Sequence, residues 1–413
     1  MSTGILNWIK LRYHRIVTSI SFLPAVIAIA FLLVSFMMLA LDKSQPGKNI
    51  KSQLSWLTLK DASTARSIIS AVVTGIMGLT VFSFSMVMIV LNQAASHMSN
   101  RVLDNLIGDR FQQFVLGFYI GTTVYALFLL STIRDIDNGI YVPALSTYLL
   151  IVLTIFDIFL FIYFLHFVTQ TVKYETVIRR VHERTRNAMK NSCRLKADPP
   201  DVPAPAEGTP IDAPISAMYL GFEKVELLEF CKKHDCEISF GHILGAFVLK
   251  GTPLFSVSGN MALTKEDIDA LFNMIRLQWE ESVEINYYYG FRQLYEVAFK
   301  ALSPGINDPG TAALSLHALA DLLTYRLSHF PDPVIRDEDN RVRIRTKEKS
   351  FEDVFLSSIM PIWDYGQNDR TIQVEVQNVL MQLNSIKKND MVSKMLHEVN
   401  KHLIGSFPII SNI

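Results

Sequence analysis

The side chain with the clearest chemical potential is an aspartate in the middle of a long apolar run. Asp157 lies within Val142–Val168, among aliphatic and aromatic neighbours. A charge at the centre of a membrane helix costs at least about 2.5 kcal/mol, so this carboxyl should face protein or water, or carry a proton. It is interpreted either as an ion or proton site or as a neutral, hydrogen-bonded aspartate that holds helices together.

Polar side chains on the apolar runs are the expected partners of Asp157. The second run in particular carries several hydroxyls, followed by Asn92 and Gln93, and such a series could line a wet path. Ser and Thr side chains also bond the carbonyls of their own helix, and this structural alternative stays open. The polar candidates are Asp157, Thr74, Thr80, Ser83, Thr122, Thr123 and Tyr125.

A second chemically suggestive string is Ala301-Leu-Ser-Pro-Gly-Ile-Asn-Asp-Pro309. Gly305 suits a left-handed helix stop, Asp308 an N-cap and Pro309 a first helical position, which predicts a tight corner between two helices. The corner has either a structural role or an anion-binding role, in which backbone N–H groups after Asp308 meet the anion and Arg292 approaches. The residues assigned to it are Arg292, Ser303, Pro304, Gly305, Asn307, Asp308 and Pro309.

Catalysis and cofactor binding find little support in the sequence. Cys231-x-x-His234-x-Cys236 with His242 fits no usual zinc spacing. The sequence holds no G-x-S-x-G, H-E-x-x-H, Walker A or G-x-G-x-x-G motif. A formal net charge of zero gives no argument for nucleic acid as a partner. We therefore expect no enzyme, no metal and no cofactor.

Four long apolar runs in the first 168 residues position these side chains. Each reaches the roughly 20 residues that a helix needs to cross about 30 Å of hydrocarbon, so the chain is predicted to be an integral membrane protein. Gly117 and Gly121 in the third run have a spacing that lets helices approach closely, within one bundle or between subunits. The runs are Ile20–Leu41, Ile68–Leu91, Phe111–Leu130 and Val142–Val168.

The distribution of Lys and Arg predicts the orientation. Basic residues precede the first run and are dense after the fourth, which places both termini in the cytosol. The first loop also carries several basic residues, yet an even number of spans requires it to lie outside.

Composition divides the chain into four parts. Residues 1–168 form a four-span transmembrane domain, 169–214 a basic helix and Pro-rich linker, 215–262 a small β domain, and 263–413 a helical cytosolic domain with a β-hairpin. Six prolines between Ala197 and Pro214 exclude a helix there. The predicted class is mainly α: an integral membrane protein with a cytosolic α+β region.

Several strings together resemble the DUF2254 family of predicted bacterial membrane proteins. The resemblance implies a multi-pass protein of the bacterial cytoplasmic (inner) membrane and brings no established activity. The chain departs from the family at Asn286, where members often carry Asp, and at Glu280-Glu281-Ser282, where they carry a basic, Thr-containing segment. The strings are Asn92-Gln93, Asn100-Arg101-Val-Leu103, Leu116-Gly-Phe-Tyr-Ile-Gly121, Gly245-Ala-Phe-Val248, Gly290-Phe-Arg-Gln-Leu294, Ala301–Pro309 and Thr311-Ala312.

Two functions fit this organisation. In the first, four-span units assemble as a homo-oligomer in the lipid bilayer around a path for a small ion, and the cytosolic region regulates it. In the second, the spans anchor a sensor or scaffold whose cytosolic domain binds a ligand or a partner protein. Asp157 and the hydroxyl-rich second run favour transport, whereas the Pro-rich linker favours the sensor, because a flexible tether couples poorly to a gate.

Overall fold

The computed structural model describes residues 21–53, 61–97, 110–136, 139–171, 173–196, 208–259 and 263–405. The chain divides into two compact units. The first unit comprises Met1–Ser96 and Asn100–Lys173, and the second comprises His97–Ser99 and Tyr174–Ile413.

Long helices dominate the first unit. In the described part of the chain, four helices are long and apolar enough to cross a membrane, and they coincide with the four predicted apolar runs. These four, α1, α3, α4 and α5, are called the bundle below. The elements are α1 (Phe22–Lys43), α2 (Gln45–Gln53), α3 (Ala62–His97), α4 (Arg110–Thr132), the antiparallel pair β1 (Arg134–Ile136) and β2 (Gly139–Tyr141), and α5 (Ala144–Thr171).

Helix α4 packs closely against α1 through its two glycines. A Cβ atom at Gly117 would lie 2.9 Å from the Pro24 Cα atom, and one at Gly121 would lie 2.8 Å from the Phe31 ring. Both contacts fall well inside ordinary van der Waals distance, so only glycine permits this approach. The glycine spacing therefore serves packing within one chain, which was one of the two predicted alternatives.

A buried carboxylate joins α1 to the start of α5. Asp42, near the end of α1, accepts hydrogen bonds from the backbone N–H groups of Leu145 (3.2 Å) and Ser146 (2.9 Å). It also accepts one from the Ser146 hydroxyl, at 2.5 Å. These N–H groups belong to the first turn of α5, where no intrahelical acceptor exists. Asp42 therefore acts as a cap supplied from a different helix.

The second unit combines helices with two β-sheets. Side-chain caps define several of its helix starts, including complete capping boxes at Thr264 with Asp267 and at Ser350 with Asp353. Its helices are α6 (Tyr174–Ser192), α7 (Lys224–His234), α8 (Lys265–Met274), α9 (Tyr287–Ala301), α10 (Pro309–Ser328), α11 (Phe351–Gly366), α12 (Arg370–Ile386) and α13 (Asp390–Gly405).

The basic helix α6 belongs to the packed interior of this unit. One face, formed by Val177, Val181, Thr185 and Met189, is buried. Gly290 of α9 contacts the Thr185 side chain so closely that a Cβ atom would overlap it. The apolar stripe of this basic helix therefore packs against α9 and α10 of its own unit.

Among the described residues, the strands form a five-stranded and a three-stranded sheet. The larger has the order β3-β7-β5-β10-β9, with β10 parallel to β5 and the other pairs antiparallel; the smaller has the order β6-β4-β8. The strands are β3 (Thr209–Asp212), β4 (Ala217–Phe222), β5 (Glu237–Ile243), β6 (Phe247–Val248), β7 (Pro253–Ser258), β8 (Ile275–Gln278), β9 (Val334–Arg336) and β10 (Val342–Lys347).

Three features of these sheets differ in detail from the sequence interpretation. The β-hairpin that the sequence predicts within residues 263–413 exists as β9 and β10, but it extends a sheet built mainly before residue 263. Ile275 of β8 pairs with Phe222, although the spacing of Ile268, Leu271, Phe272 and Ile275 is typical of a helix. Residues 197–207 of the Pro-rich linker lie outside the described residues, while Pro210 lies in the edge strand β3, a position that tolerates proline. The four-part domain division stays a prediction.

Candidate functional site

Four buried polar side chains meet inside the bundle. Asp157 of α5 is fully buried, although Phe156 and Ile158 beside it are 45% and 48% exposed. The Thr122 hydroxyl of α4 faces the Asp157 carboxyl. The other two residues form a second pair, in which the Ser83 hydroxyl of α3 faces the Tyr119 phenol of α4. We call Asp157, Thr122, Tyr119 and Ser83 the Asp157 cluster.

The cluster is rich in oxygen atoms and poor in internal hydrogen bonds. Within the described residues, no side-chain oxygen of the four residues makes a hydrogen bond of ordinary length. Burying an isolated ionised carboxylate costs far more than burying a neutral group. The chemistry that this arrangement suits is therefore the binding of a proton by Asp157 or of a small cation by the surrounding oxygens.

A cavity of about 270 Å³ adjoins the cluster. Ser83 and Tyr119 belong to its lining, as do Gln112 and Gln113 near the start of α4. Tyr119 lies seven positions after Gln112, which is about 10 Å along a helix. The cavity thus extends from the polar end of α4 towards the cluster, and most of its remaining lining is apolar.

The other predicted hydroxyls do not join the cluster. Thr74, Thr80 and Thr123 donate to carbonyls of their own helices, those of Ser70 (2.9 Å), Ile76 (2.7 Å) and Tyr119 (2.9 Å). Tyr125 donates to the Ser146 carbonyl at 3.0 Å, next to the Asp42 cap. Of the predicted polar residues, the structure therefore brings together Asp157, Thr122 and Ser83.

Sequence reasoning missed Tyr119 and Asp42. Tyr119 lies one helical turn before Thr123 and three residues before Thr122, so an α4 face drawn from helical spacing would have included it. Asp42 gave a weaker signal, because it lies beside Lys43 at the end of an apolar run, where a solvated charge is ordinary.

The motif corner is a capped turn between α9 and α10. Asp308 caps α10 by accepting from the Thr311 backbone N–H (3.0 Å) and hydroxyl (2.6 Å), and Pro309 opens the helix as predicted. The left-handed residue is Asn307, with φ +50°, and not Gly305. Asparagine tolerates this conformation better than most residues, so the backbone reversal falls two positions later than expected.

The corner already contains a negative charge, the Asp308 carboxylate. The Thr311 side chain holds the pKa of Asp308 below its ordinary value, and a carboxylate at a helix N-terminus is favoured by the helix dipole. This charge disfavours a second anion at the same N–H groups. Arg292 lies nine residues before the end of α9, about 14 Å away along the axis, and its Nε donates to Glu296. The residues Ser303, Pro304 and Gly305 shape the turn, with the Asn307 N–H donating to the Ser303 carbonyl.

Two other sequence patterns resolve into structural contacts. Cys231 and Cys236 are buried beside the C-terminus of α7, and among the described residues no three His, Cys, Asp or Glu side chains group to hold a metal ion. The basic strand β10 meets carboxylates: Arg343 pairs with Asp235 (2.7 Å) and Asp337 (2.6 Å), and Arg345 pairs with Glu237.

Comparison with known proteins adds the following similarities. A family model described as "Predicted membrane protein (DUF2254)" matches residues 17–382. An uncharacterized protein of Mycobacterium tuberculosis is 24% identical over 332 residues, which is 78% of this chain and 63% of that protein. An uncharacterized protein of Mycobacterium bovis is 23% identical over 332 residues. The chain thus spans less than two thirds of the length of these relatives. No solved structure matches the chain.

Proposed function

The chain belongs to the DUF2254 family of predicted membrane proteins, and from that premise we propose that it is a transport-type membrane protein in which Asp157 binds a proton or a small cation. The observation that carries this proposal is the Asp157 carboxyl, fully buried among the helices of the bundle. Ionisable groups are costly inside a membrane, and carboxylates retained there mark ion or proton pathways in pumps and transporters.

The two ends of the bundle differ, and this difference supports access of an ion to Asp157 from one side only. The cavity beside Ser83 and Tyr119 extends towards the start of α4. In the opposite direction lie the packed side chains around Tyr125, Leu129 and Leu150, together with the Asp42 cap. A site that loads from one side at a time is the arrangement that alternating access requires.

We further propose that copies of the chain associate in a bacterial inner membrane with both termini in the cytosol. The orientation rests on the Lys and Arg residues that flank the spans. Gly75 and Gly78 of α3 face away from the bundle, where a Cβ atom would meet nothing within 4 Å. Small residues on an outward face let a second helix approach closely in lipid.

Ion flux in proteoliposomes tests the proposed function. Purified protein is reconstituted, and proton, Na⁺ and K⁺ movement is followed under imposed gradients and voltages. We expect flux above that of protein-free vesicles for at least one of these ions. Flux equal to that of protein-free vesicles under every gradient and voltage would contradict transport.

A membrane-anchored ligand-binding protein is the second candidate. It is favoured by a polar cavity in the second unit, lined by Lys349 and Arg292. This function predicts ligand binding by the full chain together with no ion flux, so the two functions give opposite results in the flux assay.

A further inference from the structure

The polar cavity of the second unit, which favours the ligand-binding candidate, is half-open and has a volume of about 230 Å³. It lies where the turn after β5, the start of α9, the segment after β10 and helix α11 meet. Its charged lining residues are Glu281, Arg292 and Lys349, and its aromatic ones include Tyr288 and Tyr295. We call it the Lys349 cavity.

The Lys349 ammonium enters this cavity without a carboxylate partner. Its Nζ atom lies 5.1 Å from the centre of the Tyr288 ring, a cation–π contact that holds the amine in place. Within the described residues, Lys349 makes no ion pair within 4.0 Å. Burial lowers the pKa of Lys349, and the nearby positive charge of Arg292 acts in the same direction. The Asp353 and Glu281 carboxylates oppose this lowering from beyond ion-pair distance, and Arg292 pairs with Glu296 at 3.2 Å, so Lys349 is the cation of the cavity that has no close carboxylate among the described residues.

Tyr288 fixes the position of Lys349 through a second route. The Tyr288 hydroxyl donates to Glu348 at 3.1 Å and accepts from the Lys349 backbone N–H at 3.2 Å. Burial raises the pKa of Glu348. Tyr288 thus contacts Lys349 twice: its ring lies against the ammonium, and its hydroxyl accepts from the backbone N–H. The ammonium is therefore a preorganised hydrogen-bond donor.

The opposite wall is tightly packed around Gly245 and is held by hydrogen bonds. Gly245 has φ +81°, and a Cβ atom there would lie 2.6 Å from the Glu281 carboxylate and overlap the Asn286 amide. Asn286 donates to Glu281 at 3.1 Å and caps α9 by accepting from the Tyr288 N–H, also at 3.1 Å. The wall therefore presents a fixed carboxylate that accepts hydrogen bonds from a ligand.

The size of the cavity limits the ligand. A volume of 230 Å³ holds roughly eight water molecules at about 30 Å³ each. It is smaller than the roughly 300–1,000 Å³ of pockets for drug-sized molecules. A small organic anion fits, and a nucleotide does not.

We propose that the Lys349 cavity binds a small organic anion whose carboxylate or phosphate group is held by Lys349 and Arg292, while Glu281 accepts from a hydroxyl or amine on the same molecule. Lys349 supplies three ammonium donors and Arg292 a planar guanidinium, and both groups make charge-assisted hydrogen bonds to such oxygens. This site is separate from the Asp157 cluster and does not depend on the proposed transport activity.

Titration calorimetry on the full-length protein in detergent tests the proposal with two probes, inorganic phosphate and malonate, at constant ionic strength set with chloride. We expect at least one probe to bind the wild type. Preference between the two identifies phosphate or carboxylate as the recognised group. Absence of binding by both probes would overturn the proposal.

Variants assign the binding to the cavity. Lys349→Gln is expected to lower the affinity for the probe about tenfold or more, because a hydrogen bond to a charged group contributes roughly 1.5–3 kcal/mol. Lys349→Arg keeps the positive charge and should retain most of the affinity. Lys347→Gln removes the same charge from an exposed position at the end of β10, two residues before Lys349, and should bind as the wild type does. If Lys349→Gln does not fold, Arg292→Gln replaces it with the same expectation. Equal affinity of the wild type and the cavity variant would overturn the assignment.

Discussion

Three aspartates of this chain show how surroundings decide the role of one side chain. Asp157 is buried without a hydrogen bond of ordinary length within the described residues, Asp308 caps a helix, and Asp337 pairs with a largely buried arginine. Only Asp157 lacks a fixed partner for its charge, and that is why it is the candidate for reversible binding of a proton or cation. The other two stabilise the second unit.

The cap at the motif corner predicts a graded effect on stability. Asp308→Ala removes the acceptor for the Thr311 N–H and should lower the free energy of unfolding by about 1 kcal/mol. Asp308→Asn keeps an acceptor and should cost less. Chemical unfolding of the purified variants measures both changes. If Asp308→Ala unfolds as the wild type does but loses transport activity, the corner is functional and its structural assignment is wrong.

The Asp337–Arg343 pair predicts a pH dependence of stability. Arg343 lowers the pKa of Asp337 in the folded chain relative to the ordinary value near 3.9. The stabilisation is therefore present above about pH 4 and is lost as the pH falls through the folded pKa. Asp337→Asn should destabilise the protein at neutral pH, with a difference from the wild type that shrinks below about pH 4. Unfolding midpoints across pH measure it.

Asp339→Asn is the matched control for that measurement. Asp339 lies in the same hairpin turn and is exposed. It should leave the pH profile of the wild type unchanged. A constant difference between Asp337→Asn and the wild type from neutral to strongly acidic pH would contradict the pairing.

At the scale of elements, the sequence predicts those helix starts that depend on neighbouring residues alone. The capping boxes of Thr264 with Asp267 and of Ser350 with Asp353 follow directly from the spacing of these residues in the sequence. Local patterns fail where a distant partner decides the conformation. Ile275 continues a helical stripe in sequence but pairs with β4 in the fold, because tertiary contacts override local propensity.

The glycines of the bundle predict two different outcomes for similar changes. Gly121→Val should force α4 away from Phe31 of α1 and lower thermal stability in detergent, with overpacking of this kind costing about 1–3 kcal/mol. Gly75→Val meets open space in a single chain, so it should leave that stability unchanged. If α3 forms the proposed interface between copies, Gly75→Val should instead reduce self-association.

Thermal unfolding and light scattering in detergent separate these effects. The expected pattern is a less stable Gly121→Val variant with wild-type association and a stable Gly75→Val variant with weaker association. Equal thermal stability of Gly121→Val and the wild type would contradict the close packing of α1 and α4.

At the scale of the whole molecule, the sequence separates a membrane part from a second α and β part, and each has its own core. It does not predict that β10 joins β5, since about one hundred residues separate the two strands and parallel pairing leaves no local signal. The same holds for the Lys349 cavity. Its walls come from four distant segments, so the grouping of Glu281, Arg292 and Lys349 follows from the fold alone.

Within the bundle, the sequence identifies Asp157 as a functional candidate but does not show which hydroxyl side chains surround it. Asp157 stands out because a carboxylate is rare in an apolar helix. Its hydroxyl neighbours could not be selected from the sequence, because Thr74, Thr80 and Thr123 look the same as Thr122 until helix rotation is known. Rotation about each helix axis depends on packing between helices, which a single sequence does not encode in a readable pattern.

Flux through Asp157 variants in proteoliposomes is the most direct test of the central claim. Asp157→Asn should lower flux at least about tenfold, since it removes the only carboxylate of the Asp157 cluster. Asp157→Glu should retain part of it. Thr80→Val, which removes a hydroxyl bonded to its own helix, should behave as the wild type does. Flux by Asp157→Asn equal to that of the wild type would contradict the proposed binding of the transported ion by Asp157.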